Sequence, residues 1–331
     1  MMLNGKNTKK TYQGDPMKKI CKVMSTAAFA AMLVGGTALS HADAAAEKTS
    51  ASSNSAQIMA AASAISVTQS GITLRVTKAV YDGNHVSITI QRSGKGYTGG
   101  ITGGKLDSKT NEYVREKGSI RDMSVLIDGK SIHGSGSLSQ RPSLSWKAGA
   151  DLNTAIITLT DASQLGGNIK AFPDKFKLTA TVNLEGVGKP FTLDIPLQNG
   201  AGKPVVLKPN ITKKSNGLSM TLNKATITST STRLQLILKG SDKNSISFDV
   251  VDHQGKQLNM ISGRGTDENN KKGDYYYDIL LDGLGKNVNS FTIKPFKPEL
   301  KDGASDQYKV DSKGNIIKQY MKDIEIRVLV K

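Results

Sequence analysis

Gly71-Ile72-Thr73-Leu74-Arg75-Val76-Thr77-Lys78-Ala79 returns as Gly217-Leu218-Ser219-Met220-Thr221-Leu222-Asn223-Lys224-Ala225, 146 positions later. Both stretches alternate apolar and polar residues at period two, the pattern of a strand with one buried face. Downstream, Val86, Ile88 and Ile90 match Leu234, Leu236 and Leu238 at an offset of 148, which implies two extra residues in the intervening turn of the second copy. Asp82-Gly83-Asn84 reads as the turn of the first hairpin. The chain therefore predicts two related β domains in series.

The remaining sequence follows the same style. Met123 to Ile127, Ile156 to Leu159, Phe176 to Val182 and Phe191 to Ile195 read as strands of the first copy. Ser245 to Val251, Tyr275 to Leu281, Phe291 to Ile293 and Ile324 to Val330 read as strands of the second. Asp128-Gly129-Lys130, Asp252 to Lys256 and Asp311 to Asn315 supply turn chemistry, and no stretch sustains a helical period. Short strands separated by Gly/Asn/Asp turns indicate an all-β chain of two tandem immunoglobulin-like β-sandwich domains. The expected domains are 66–197 and 210–331, joined by a Pro/Gly-containing linker over 198–209. An Ala/Ser-rich tether over 47–65 precedes them.

Residues 1–46 carry the targeting signal. Met17-Lys18-Lys19-Ile20-Cys21-Lys22 is a basic head, Val23 to Leu39 has no charge, and Ala42-Asp43-Ala44 offers a small-x-small cleavage site. That order is a secretory signal, with a retained single-pass anchor as the alternative. The expected location is extracellular or on the cell surface or wall. Cys21 is the only cysteine. A chain cleaved after that segment has no disulfide and no thiolate metal site.

The formal net charge is +17. The excess is +5 over residues 66–197 and +8 over 198–331, so it is spread through both copies. Outside a cell the matching counter-charges are anionic wall polymers or lipid head groups rather than nucleic acid.

The hairpin around Tyr81-Asp82-Gly83, Pro173-Asp174-Lys175-Phe176 and the closing Phe191-Thr192-Leu193-Asp194-Ile195-Pro196 resemble domain-of-unknown-function family 4179. Residues 210–331, with Asp249-Val250-Val251-Asp252-His253-Gln254-Gly255-Lys256, resemble the companion β domain often found after it. The resemblance implies the outer portion of a Gram-positive anti-sigma-like protein and names no active site. No His/Cys cluster precedes the apolar segment, so no sigma-binding domain is expected here.

Several motifs invite chemistry. Gly94-Lys95-Gly96-Tyr97-Thr98-Gly99 fits a dinucleotide fingerprint, but Gly100-Ile101-Thr102-Gly103-Gly104 follows where a helix N-terminus is required. Gly99 to Lys105 mimics a phosphate loop, yet Leu106 stands where a magnesium-binding hydroxyl belongs. The segment is expected to be a mobile Gly-rich loop, with Gly94, Lys95, Gly96, Tyr97, Gly99 and Lys105 as a candidate ligand loop. His85, His133 and His253 lie in or beside turns without ligand spacing and are expected to be exposed. Asp267-Glu268-Asn269-Asn270 and Asp302 to Asp306 lack the oxygen pattern of a calcium loop. Gly134-Ser135-Gly136-Ser137 is out of register for a nucleophile elbow. Trp146 alternates like a core residue. Tyr275-Tyr276-Tyr277 is a candidate aromatic patch, with Tyr275 and Tyr277 on one face of a strand.

These features favour an exported, non-enzymatic envelope module, with no cofactor and no metal. Its expected partners are an anionic wall polymer or another envelope protein, and the membrane enters only through an uncleaved N-terminal segment. The alternatives are a membrane-tethered regulatory ectodomain and a glycan-active enzyme.

Overall fold

A computed structural model describes residues 65–330 apart from 111, 135–136, 168, 201, 241–244, 271–273 and 302–306. The targeting segment with Cys21 and His41, the tether over 47–64, Ser135-Gly136 and the Asp302 to Asp306 turn lie outside the described residues.

The first lobe contains β1 (Ser66–Gln69), β2 (Ile72–Tyr81), β3 (Val86–Gly94), β4 (Gly104–Leu106), β5 (Tyr113–Arg115) and β6 (Ile120–Ile127). It continues with β7 (Lys130–Ser131), β8 (Ser143–Ala148), β9 (Thr154–Thr160), β10 (Lys175–Leu184) and β11 (Phe191–Gln198). The second contains β12 (Val205–Leu207), β13 (Ile211–Ser215), β14 (Leu218–Ile227), β15 (Ser231–Lys239) and β16 (Ser247–Asp252). It ends with β17 (Met260–Thr266), β18 (Tyr275–Asp282), β19 (Ser290–Pro298), β20 (Lys318–Tyr320) and β21 (Ile326–Leu329). The described residues form an all-β, sandwich-like fold. Among the described residues no helix is long and apolar enough to cross a membrane.

The two lobes repeat in their main strands, while β4, β5 and β7 of the first and β12 and β20 of the second have no named counterpart. One sheet of the first runs β1-β2-β3-β9-β8, and its counterpart runs β13-β14-β15-β18-β17, with β12 also on β14. The facing sheets are β11-β10-β6-β7 and β16-β19-β20, with β21 also on β19. Alternating residues from paired sheets build two separate cores. Leu74, Val76, Ile88, Ile90, Phe191 and Leu193 lie in one, and Met220, Leu222, Leu234, Leu236, Phe291 and Ile293 in the other.

Register corrects one detail of the sequence reading. Val76 pairs with Ile90 and Ala79 with Ile88, while Leu222 pairs with Leu236 and Ala225 with Leu234. A bulge falls between Val76 and Lys78 and again between Leu222 and Lys224. The offset is therefore 146 throughout the hairpin, and the second turn has no extra residues. Val86, Ile88 and Ile90 correspond to Thr232, Leu234 and Leu236. A shift of two positions preserves alternation, so periodicity alone cannot detect it. The neighbouring turns repeat as well. Ser70-Gly71 and Asn216-Gly217 each hold two successive positive φ angles in a two-residue hairpin loop, the conformation that matches strand twist.

Candidate functional site

Among the departures from the repeated scaffold are one end of the first lobe and the junction between lobes. After Gly94 the first copy runs through residues 95–119 before β6, whereas the second needs only 241–246 before β16. The insertion contains the Gly-rich segment and the β4–β5 hairpin.

A core position has been altered to hold it. Leu74 pairs with Arg92 where Met220 pairs with Leu238, so Arg92 occupies the place of a buried leucine. Its Nη1 donates to Gly118 O at 2.7 Å and its Nη2 to Gly99 O at 2.6 Å. Nε and Nη2 both reach Asn153 Oδ1, at 3.2 and 2.8 Å. Tyr97 is half-buried with its ring 3.8 Å from the guanidinium. Burial pushes the Arg92 pKa down, while Tyr97 and Glu116 act in the opposite sense.

The glycines make room for side chains of the loop itself. A Cβ on Gly99 or Gly103 would overlap Glu116 Oε2, and one on Gly104 would strike the Tyr113 ring. Glu116 Oε2 accepts the Gly100 N–H at 3.0 Å. Thr98 donates to Lys117 O at 2.9 Å and Ile101 to Leu152 O at 2.7 Å, and Ile101 is buried. The expectation of a loose loop is thus corrected: the segment is tied to its neighbours on both sides. Gly94 lies against the backbone of Gly71, Lys95 and Gly96 are exposed beside it, and Lys105 is exposed on β4. An open depression of about 590 Å³ is bordered by Gly99, Gly100, Gly103, Glu116, Asp151 and Leu152. Its charged lining is acidic, so it does not suit an anion, and Lys95 and Lys105 do not line it.

Tyr275 and Tyr277 share a face, ring centroids 4.9 Å apart, and Tyr277 packs edge-on against Phe248 at 5.2 Å. The Tyr277 hydroxyl donates to Ile246 O at 3.3 Å, and burial raises the pKa of both tyrosines. Tyr276 points to the other face, half-buried. Trp146 is half-buried against the first core.

The junction is the site that sequence reading missed. The turn 82–85 meets its own counterpart, 228–231. Asp82 Oδ1 accepts the N–H groups of Asn84 and His85 at 3.0 and 2.9 Å. Thr228 Oγ1 plays the same part for Thr230 and Ser231 at 3.2 and 2.9 Å. The other Asp82 oxygen accepts the hydroxyls of Thr228, Thr230 and Ser231 at 2.9, 2.7 and 2.5 Å. His85 is buried, not exposed, with Nδ1 3.2 Å from Asp82. Burial alone would raise the Asp82 pKa; the His85, Ser231 and Thr230 hydrogen bonds outweigh it and hold the carboxyl below its ordinary range. His133 and His253 are exposed.

Beside this contact lies a buried ionic network. Arg233 binds Asp278 through Nε at 2.8 Å and Nη2 at 2.6 Å, and reaches Asp161 Oδ1 through Nη1 at 3.1 Å. It also donates to Asn84 O at 3.1 Å and Asp161 O at 2.8 Å, so its whole donor fork is engaged. Burial lowers the Arg233 pKa, but Asp278 and Asp161 more than reverse that and raise it. Arg264 adds bonds to Arg141 O and Asp161 O, both 2.6 Å. The Asp267-Asn270 turn is docked on the first lobe, with Glu268 on Ser139 at 2.6 Å and Asn270 on Leu165 O at 3.0 Å. Ala162, Leu165 and Leu280 are buried in this region yet belong to neither core. The described residues lie in a single compact unit.

A family model described as "Family of unknown function (DUF5643)" matches residues 205–328, the second lobe. No curated protein matches. A structure titled "The crystal structure of the conserved domain protein from Bacillus anthracis" is 13% identical, with 80% of this chain and 89% of that chain covered at a TM-score of 0.48.

Proposed function

We propose that the chain is an exported, non-enzymatic cell-envelope module, of immunoglobulin-like ancestry, that binds anionic wall polymers. The reading is supported by a division of charge. Buried acids serve the scaffold: Asp82, Asp161 and Asp278 join the lobes. Asp249 takes Lys318 at 2.8 Å and Tyr320 at 2.6 Å. The two lobes carry basic excesses of +5 and +8, and most of their described lysines are exposed, where they are available to a polyanion.

Electrostatic binding of this kind depends on screening, whose range falls from about 8 Å at physiological salt to about 3 Å at 1 M. Retention on purified anionic wall polymer is expected to be strong below physiological salt and lost near about 1 M. Equal retention across the series would remove the electrostatic mechanism.

A further inference from the structure

We infer that the polymer lies along the outer face of the second lobe's β13-β14-β15 strands, held by Lys208, Lys214 and Lys239, an inference that rests on the wall-polymer reading above. Register brings these side chains together. Lys214 pairs with Ser219, and Ser219 with Lys239, so the three form one row across three strands. Their neighbours Leu218, Met220 and Leu238 are buried in the core, so the row faces away from it. Adjacent strands lie about 4.8 Å apart, which sets the two lysine positions about 10 Å from each other. Lys208 follows Leu207, which pairs with Ala225, and so stands beside Lys224 farther along the same face. Burial lowers the Lys224 pKa, and Arg233 and then Lys208 act in the same direction.

The face is cationic. Lys208, Lys214 and Lys239 are exposed, and Lys224 is half-buried at the edge of the junction. Lys208 and Lys214 form no ion pair with a described residue. Asp274, next in the row, meets Lys239 at 2.8 Å, with the lysine side chain 57% exposed and the acid 14%. An ion pair at the surface is worth little, so Lys239 can exchange its partner for a polyanion. Asp323 accepts the Ser215 hydroxyl at 3.2 Å, but Ser215 pairs with buried Leu218 and belongs to the core-facing side of β13.

An open depression of about 500 Å³ lies at the hairpin end of this row, bordered by Lys214, Lys239, Ser215, Asn216 and Ser219. Its described charged lining is basic, the reverse of the acidic depression on the first lobe. The next row carries Thr212, Thr221, Ile237 and the half-buried Tyr276, with the two threonine hydroxyls 2.8 Å apart. Lysines beside hydroxyls and a ring suit a polymer that alternates phosphates with polyol or sugar units.

The duplication separates these cations from the needs of the fold. The corresponding row of the first copy is Thr68, Thr73 and Ser93, so Lys214 and Lys239 stand where that copy has neutral hydroxyl residues. β15 runs from the junction at Ser231 to Lys239, roughly 27 Å away, and the row therefore stays open when the lobes are joined.

The test compares three forms of the full chain on poly(glycerol phosphate) at low salt: the natural sequence, a face variant and a control. The face variant carries Lys208→Gln with Lys214→Thr and Lys239→Ser, the last two taken from the first copy. The control carries Lys95→Gln, Lys105→Gln and Lys109→Gln, all exposed in the first lobe. Circular dichroism and thermal unfolding establish that each variant is folded. The face variant is expected to lose about tenfold or more in affinity, and the control less than about threefold. Inorganic phosphate at equal phosphate concentration, with ionic strength matched by chloride, is expected not to compete. Full competition would make the face a small-anion site and overturn polymer engagement there. Equal losses in the two variants would overturn the localisation and leave the wall-polymer reading standing. Absence of salt-sensitive binding by the natural chain would overturn both.

Discussion

Replacing Arg233 by alanine is expected to lower the unfolding free energy by about 3–5 kcal/mol, the loss typical of breaking one side of a buried ion pair. The side chain is only 2% exposed, and its removal leaves Asp161 and Asp278 buried without their shared cation. Asn84 O and Asp161 O lose a donor at the same time. Urea titration by circular dichroism measures the loss. The triple change Arg233→Met, Asp161→Asn and Asp278→Asn is expected to recover most of it, because the uncompensated charges are then gone. A loss below about 1 kcal/mol for Arg233→Ala, the scale of an exposed pair, would mean that water reaches the network.

The second large effect separates a structural glycine from a ligand-binding one. Gly94 has φ +103°, and a Cβ there would stand 2.1 Å from Gly71 O. Gly240, 146 positions later, has φ +122°, and its Cβ would stand 2.4 Å from Gly217 O. The obstacle is backbone in both cases, so relief requires opening the hairpin end. Gly94→Ala and Gly240→Ala are each expected to cost about 2–4 kcal/mol, combining backbone strain with overpacking. Gly188→Ala meets nothing within 4 Å and should stay within about 0.5 kcal/mol of the natural chain. Thermal unfolding of the three variants checks the order. If Gly94→Ala were neutral while Gly240→Ala was not, the duplicated glycine contact would be wrong.

Much of the architecture was legible because the duplication preserved alternation on both hairpins. The slip of two positions in β15 came from the same periodicity, which is unchanged by an even shift. Arg92 concealed the true register: a cation stood where the pattern demanded a leucine, and the apolar triplet was matched one pair too late. That break in phase was the available signal for the insertion anchor. The Gly94 to Gly104 segment suggested a ligand loop because glycine records only that space is needed. Here Glu116 and Tyr113 fill it. The junction left no comparable trace. Asp82-Gly83-Asn84-His85 is ordinary turn composition, and its partners are hydroxyl residues 146 to 149 positions away. Arg233 reads as an outward residue of an amphipathic strand, which it is; the first lobe covers that face, and the covering is a tertiary event.

The claim that most else depends on is that the two copies form one body, clamped turn to turn. Cys21 is the only native cysteine, so after its replacement labels can be placed singly at Ser145 and Ser312, both exposed and on different lobes. Pulsed electron spin resonance between them should give one narrow distance distribution, broadened by Arg233→Ala. A broad distribution in the otherwise natural chain, unaltered by that substitution, would contradict the clamp.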